Sequence, residues 1–377
     1  MCVTIESIQF NHDLNSLNHD AMNIRKNFLH EVPLPEWQNS DTTPKSSLAA
    51  YSIKEITGNT ITIKVKFTSS LASATIKAEN GGILGPVPEK TVHFDGTFNT
   101  FELTHHIDRI TREDITWKWK YKRPTDMHWH LITTTHHRIY TVLAEPCTPW
   151  TQERSSAVNP WTDALEVACT IAAGSYTPSD AAHAIMSYIH SESGLEYDTV
   201  RGKSSYSTSY AKLNLTAWLN NFSKGVVVNC YDCASALAAL GNVVGCRLDY
   251  HFHWPFGYVN PVIPVGKQKC NNPFYENPQY SPDPIRGTDD TTRSLFANHA
   301  YTKMHDTVYD ASLRSEKTSE IIPKGKSEEI NPIKIKEPVW FSGVSQKEYE
   351  KTVIDISTRE ERQYNRGTST PVEMSVY

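Results

Sequence analysis

The stretch with the most chemical content is Asn229-Cys-Tyr-Asp-Cys-Ala-Ser-Ala-Leu-Ala-Ala-Leu240. Asn is a preferred helix N-cap, and the Ala- and Leu-rich run behind it favours helix, so Cys230 falls at the first helical position. A thiol there meets the unpaired N–H groups and the positive end of the helix, which favour a thiolate. The same N–H groups can receive an oxyanion formed beside the sulfur. A cysteine nucleophile also needs a base to take its proton and a group to orient that base. Downstream, His299-Ala-Tyr-Thr-Lys-Met304 reads as a strand, His305-Asp306 as a turn, and Thr307-Val-Tyr309 as a returning strand that reaches Asp310. Such a hairpin sets His299 and Asp310 on neighbouring strands, where a carboxylate can hold an imidazole.

The same residues admit other chemistry. Cys230-x-x-Cys233 suits a redox pair at a helix start, or half of a zinc site completed by His299 and His305. The flanking sequence lacks a thioredoxin-like βαβ frame and the second zinc pair is distant, so the nucleophile is the favoured reading. Cys233, one turn into the helix, is read as structural. Three residues are candidate substrate contacts. Asp232 lies in the first turn of the helix, His253 alternates with Tyr250, Phe252 and Trp254 on the strand after Gly245, and Tyr258 lies in the loop beyond. No metal and no cofactor is expected. The histidines His105, His106, His128, His130, His136 and His137 read as solvated strand residues. Trp117 and Trp119 read as core, and Lys118, Lys120 and Lys122 as a solvated basic face.

A cysteine at a helix start followed by His and Asp on successive antiparallel strands resembles the transglutaminase-like cysteine-enzyme superfamily, whose fold is similar to that of papain-like proteases. The family helix carries a small residue four positions after the Cys and a Gly at its end, matched here by Ala234 and Gly245, with Leu237 and Leu240 between them and Arg247 in the next strand. The family's His-Ala-aromatic element is matched by His299-Ala300-Tyr301, and its Asp by Asp310. The resemblance spans residues 161–313. It implies Cys230 as nucleophile, His299 as general base and acid, and Asp310 as orienting carboxylate. The chain departs from the pattern in a short hairpin, a long insert from Pro255 to Phe296, and no aromatic or Gln oxyanion partner just before Cys230. The superfamily includes peptidases, amidases and deamidases as well as cross-linking enzymes. What is implied is thus acyl transfer at a peptide or protein amide, with hydrolysis favoured because it needs no second substrate site. The alternative is a non-catalytic binding protein on the same fold.

The elements that must position these residues follow from the pattern of the rest. The chain has 377 residues with 38% hydrophobic and 21% charged side chains, enough for two or three folded domains. Between Ile53 and Ala144 apolar residues alternate with polar ones, as in Ile61, Ile63, Val65 and Phe67, or Ile115, Trp117, Trp119 and Tyr121. Turn signals such as Asn80-Gly81 and Asp95-Gly96 separate these runs. Pro146, Pro149 and Pro160 punctuate a switch to helical patterning over Trp161–Ala173, Ser179–Ser191 (Ser179 as N-cap) and Leu213–Phe222. The expected fold is α+β: an irregular segment (1–44), an antiparallel β-sandwich (45–147) that docks a protein partner, a transglutaminase-like, papain-like domain (155–315), and a C-terminal extension (316–377). Ser345-x-x-Glu348 in that extension is a capping box that predicts a helix to about Ile356.

The net charge is −5 and the pI about 6.3, which gives no chain-wide basic field for nucleic acid. No apolar run is long enough to span a membrane, and no Sec signal opens the sequence. Seven widely spread cysteines argue against a disulfide scaffold. The expected location is the cytoplasm, or the exterior by a route that uses no Sec signal.

Overall fold

The computed structural model describes residues 3–13, 19–56, 60–104, 107–151, 159–208, 211–221, 224–277, 295–321, 333–356 and 367–377. The chain is mixed α+β and divides into two compact units: Met1–Ala181 with Asn242–Cys246, and Ala182–Gly241 with Arg247–Tyr377. His105, His106 and Phe222 lie outside the described residues.

In the first unit, the strands in chain order are β1 (Val3–Gln9), β2 (Trp37–Gln38), β3 (Leu48–Ser52), β4 (Ile61–Ser69), β5 (Ser73–Asn80), β6 (Val87–His93), β7 (Phe98–Leu103), β8 (Thr111–Lys122) and β9 (His130–Val142). A short helix α1 (Ile53–Ile56) follows β3. Four strands form one sheet in the order β2-β1-β4-β7, and five form another in the order β3-β9-β8-β5-β6. Apolar side chains of both sheets join one core, including Ile5, Ile63, Val65 and Phe101 from the first and Ile76, Trp117, Trp119 and Ile139 from the second. The period-2 pattern accounts for this: along β4 and the second half of β8, buried residues alternate strictly with half-exposed or exposed ones.

Three features of this unit differ from expectation. The opening segment is not irregular, since β1 pairs with both β2 and β4 in the sheet interior. A bulge between Ile5 and Ser7 shifts its register, so Ile8 rather than Ser7 continues the fully buried series and the alternation is broken in the sequence. Second, the sheets are not purely antiparallel: β3 runs parallel to β9, from Leu48↔Arg138 to Ser52↔Val142. Third, helix α2 (Thr162–Ile171), expected to open the second domain, belongs to the first unit. Its Glu166 accepts from Arg112 Nε (3.1 Å) and from the hydroxyl of Tyr140 (2.8 Å) on β8 and β9.

Helix α3 (Pro178–Ser191) is capped by Thr177 rather than Ser179, with Thr177 Oγ1 accepting from Asp180 N at 3.2 Å. In the second unit come β10 (Glu196–Tyr197), β11 (Lys212–Leu213), helix α4 (Leu215–Asn221), β12 (Val227–Val228) and helix α5 (Cys230–Val243). Then follow β13 (Asp249–Trp254), β14 (Ile263–Pro264), β15 (His299–Met304), β16 (Thr307–Ile321), β17 (Ile333–Ser345), helix α6 (Gln346–Val353), β18 (Thr368–Pro371) and β19 (Ser375–Val376). The main sheet has the order β14-β16-β15-β13-β18, with β17 also paired to β16.

The segment expected to be an appendage is therefore built into this sheet. β17 pairs with β16 from Thr307↔Ser345 to Ile321↔Ile333, β18 pairs with β13, and β19 pairs with β11. β17 opens with lysines alternating with isoleucines (Ile333-Lys-Ile-Lys336), a pattern that lacks the apolar content of a core strand. Ser345 does cap α6, accepting from Glu348 N at 3.3 Å.

Candidate active site

The site begins at a short parallel pair. β10 and β12 align Tyr197 with Val228, and β12 runs directly into Asn229. Asn229 Oδ1 accepts from the N–H of Tyr231 (2.9 Å) and of Asp232 (3.3 Å), and its Nδ2 donates to Gly202 O (2.8 Å), so it is the N-cap of α5. Cys230 is the first residue of that helix and is 4% exposed.

The imidazole of His299 comes from the neighbouring sheet. β13 pairs with β15 so that His253 lies opposite His299, and the hairpin β15–β16 turns at His305-Asp306. His299 Nε2 and Asp310 Oδ2 are 2.9 Å apart and both side chains are buried. The β16–β17 ladder breaks just where Asp310 sits: Tyr309 pairs with Ser342, and the next pair is Arg314 with Trp340. The bulge over 310–313 turns backbone amides inward, and Asp310 Oδ1 accepts from Ser312 N (2.8 Å), Ser312 Oγ (2.7 Å) and Leu313 N (3.2 Å). The hydroxyl of Tyr349, on α6, donates to Oδ2 at 2.7 Å.

These contacts decide the charges. Burial alone pushes the His299 imidazole toward its neutral form. The charge and hydrogen bond of Asp310, with a contribution from Cys230, outweigh it and raise its pKa to about 10. Burial likewise pushes Asp310 up, but His299, Ser312 and Tyr349 hold it below the ordinary carboxylate range. With Nε2 engaged by Asp310, the other ring nitrogen, Nδ1, is buried and has no hydrogen-bond partner at full geometry among the described residues. Cys230 lies close enough to the ring to contribute to that upward shift. Catalytic hydrogen bonds are commonly long before substrate binds. Phe256 and Phe296 flank the imidazole, with ring centroids at 4.7 and 5.7 Å, and exclude water from it.

Tyr197 completes the cluster. It is buried beside Cys230, and burial followed by the neighbouring thiols holds its phenol pKa well above the ordinary value, so it stays neutral. It lies far upstream of the nucleophile in sequence, and only the β10–β12 pairing brings it there. Tyr349 and Tyr197 are the side chains of this cluster that sequence reasoning did not single out.

The three expected substrate contacts are placed otherwise. Asp232 is fully buried, and its carboxylate accepts from the N–H groups of Ser205 (2.8 Å), Tyr206 (2.8 Å), Ser207 (2.6 Å) and Asn229 (3.2 Å). It ties a loop to the helix start and has no face left for a substrate. His253 is buried beside His299, with Nδ1 3.3 Å from the hydroxyl of Tyr301 and 4.0 Å from Glu350, and burial pushes its pKa down. It therefore backs the His299 layer and does not line an open cleft. The carbonyl of Tyr258 accepts from Asp355 N at 2.9 Å, which joins it to the segment after α6.

The zinc set is not assembled either, because His305 sits in an exposed turn at the far end of β15 from His299. Cys233 is buried and its thiol is pushed up by burial. The strand histidines have separate partners: His130 meets Asp126, His136 meets Thr116, and His137 is buried in the core rather than solvated. An open cavity of about 560 Å³ in the first unit is lined by polar groups including Asn11, Arg25 and Glu36 but by no cysteine, serine or histidine among the described residues.

No protein-family model and no curated protein matches the sequence. Among solved structures, the chain is similar to red sea bream transglutaminase, with 10% identity and a TM-score of 0.40. The alignment covers 81% of this chain and 52% of the other, so this chain spans about half the length of that structure. No helix among the described residues is long and apolar enough to cross a membrane.

Proposed function

We propose that the protein is a thiol-dependent enzyme that breaks an amide bond by acyl transfer, with water as the favoured acceptor. One observation carries this reading. A buried imidazole is held on one nitrogen by a carboxylate with a full set of donors, its other nitrogen has no partner among the described residues, and a cysteine at a helix N-terminus is its neighbour. A core histidine has no need of a buried carboxylate, since two neutral partners satisfy it without the cost of burying a charge.

In the proposed reaction, His299 Nδ1 already holds the proton taken from Cys230, and the Cys230 thiolate attacks the substrate carbonyl carbon. The oxyanion is received by N–H groups of α5 and by the Tyr197 hydroxyl. The C–N bond then breaks, and the departing amine takes the proton from His299. Water, deprotonated by the same imidazole, attacks the thioester and releases the acid and the free thiol. Asp310 fixes the ring tautomer and stabilises the imidazolium throughout. The first unit serves as a recognition module for a peptide or protein partner.

Burial of the site favours a second reading, a binding protein that retains the fold without turnover, since Cys230 is only 4% exposed and His299 fully covered. Alkylation separates the two. Iodoacetamide labelling located by mass spectrometry is expected to select Cys230 over the other thiols, and His299→Ala is expected to slow it at least tenfold. Labelling spread over several cysteines, or unchanged by His299→Ala, would overturn the enzyme reading.

A further inference from the structure

The carboxylate of the triad is held from two directions. Its Oδ1 is fixed by Ser312 and Leu313 of its own strand, but those contacts leave Oδ2 to be aimed by whatever else reaches it. Two groups do: His299 Nε2 at 2.9 Å and Tyr349 Oη at 2.7 Å. Tyr349 comes from α6, outside the span over which the sequence resembles a known enzyme family.

We infer that Tyr349 is a positioning residue: its hydroxyl aims Asp310 Oδ2 at His299 Nε2 and takes up part of the carboxylate's charge, which sets how tightly His299 holds its proton. The inference rests on the reading of Cys230, His299 and Asp310 as a triad. The ring of Tyr349 is immobilised by Tyr301 and Phe341, each with centroids at 5.1 Å, and the residue is completely buried. A phenylalanine would satisfy that packing equally well. A hydroxyl in such a place costs desolvation free energy unless it meets an acceptor, and here the acceptor is the catalytic carboxylate. The helix that carries it is itself tied to this layer, with Gln346 Nε2 donating to Tyr301 Oη and to Glu350 Oε1, both at 2.7 Å.

A donor on Oδ2 competes with His299 for the same negative charge. Its removal concentrates that charge on the imidazolium, so His299 keeps its proton to higher pH and gives it up to a leaving group more slowly. The other titratable groups around the pair are Cys230 and Tyr197, His253 and Tyr301 on β13 and β15, and His190 of α3. All of them are unchanged in a Tyr349→Phe variant.

The experiment uses the full chain and iodoacetate, an anionic reagent whose rate falls when the imidazolium loses its proton. Its pH–rate profile at Cys230 is measured for wild type, Tyr349→Phe and Phe341→Leu, together with thermal unfolding and the proton resonance of the His299 Nε2–H. Tyr349→Phe is expected to keep selective labelling of Cys230, to move the alkaline midpoint up by about half to one pH unit, and to shift the Nε2–H resonance. Phe341→Leu loosens the same ring without touching the hydroxyl, and is expected to lower stability while leaving the midpoint in place. A Tyr349→Phe profile that superimposes on wild type, or an equal shift in Phe341→Leu, overturns the inference. Should Tyr349→Phe fail to fold, Tyr349→3-fluorotyrosine keeps the shape, makes the phenol more acidic, and is expected to move the midpoint downward; no movement overturns the inference. If His299→Ala leaves labelling unchanged, the enzyme reading fails by itself, while the Nε2–H resonance still reports whether Tyr349 acts on the carboxylate.

Discussion

His137 in the first unit and His299 in the second are both completely buried and both packed among aromatic rings. His137 lies against Phe10 and Trp117 at 5.1 and 5.2 Å, much as His299 lies against Phe256 and Phe296. Their chemistry is opposite. His137 has a hydroxyl near each ring nitrogen, Ser47 Oγ at 2.7 Å and Thr135 Oγ1 at 2.8 Å, and burial pushes its pKa down to about 3. His299 has a carboxylate at Nε2 and no hydroxyl at Nδ1, and its pKa is raised to about 10. Apolar packing does not distinguish a buried histidine of lowered pKa from one of raised pKa; the formal charge of the hydrogen-bonding partner does.

The change with the largest expected effect removes that charge. Asp310→Asn keeps a hydrogen-bonding group of the same shape but gives His299 a neutral partner, as His137 has. The pKa of His299 is then expected to fall below its ordinary value, and amide turnover to drop by about 10³-fold or more. Iodoacetate labelling of Cys230 at neutral pH reads the same loss without knowledge of the substrate. A drop of less than tenfold would break the comparison.

The next effect is on stability against pH, where the two histidines act with opposite sign. The folded pKa of His137 is depressed, so the fold loses stability as pH falls from about 6.5 toward about 3, by a total on the order of a few kcal/mol. Glu36, in the same unit, is raised to about 7 by burial and works the other way: its stabilisation is present below about 4.5 and lost as pH rises through about 7. Urea midpoints of wild type and His137→Gln, compared from acid to neutral pH, isolate the first contribution, and the variant is expected to show the shallower acid limb.

For His299 the folded pKa is raised, so its stabilisation is fully present below about 6.5 and lost as pH rises through about 10. Asp310 is depressed, so its stabilisation is present above about 3.8 and lost as pH falls through its lower folded value. The pair therefore stabilises most between those limits, and His299→Ala is expected to flatten the alkaline limb of the urea midpoints.

The smallest effect sharpens the comparison among carboxylates. Asp232 is as buried as Asp310 but accepts only from backbone amides, and burial leaves its pKa raised where that of Asp310 is lowered. Asp232→Asn is expected to cost about 1–3 kcal/mol in urea unfolding, because backbone donors lose a charged acceptor.

What could be seen in the sequence is what is local. Asn229 caps α5, Ser345 caps α6, and the hairpin that pairs His299 with Asp310 closes within a dozen residues, so type and spacing suffice to find them. What stayed hidden depends on distant pairing. Tyr197 and Tyr349 reach the site only through β10–β12 and through α6, and neither carries a mark that separates it from the other tyrosines. One local signal was available for the bulge, the Asp310-Ala-Ser312 sequence, in which an aspartate can bind the amide two residues on. The β1 bulge broke the alternation that would have announced a strand, and the charged faces of β17 masked its place in the sheet.

The position of Tyr349 also bears on synthesis. A ribosome that has just incorporated Asp310 has 39 residues to add before Tyr349, which at ordinary elongation rates takes about 2–8 s. During that interval the growing polypeptide carries the thiol, the imidazole and the carboxylate, but lacks the hydroxyl that aims them and the strands that flank β13 and β16. On the proposed reading, a messenger truncated in that window would yield a product with Cys230, His299 and Asp310 but little reactivity, and translation itself would delay activation until the support was in place.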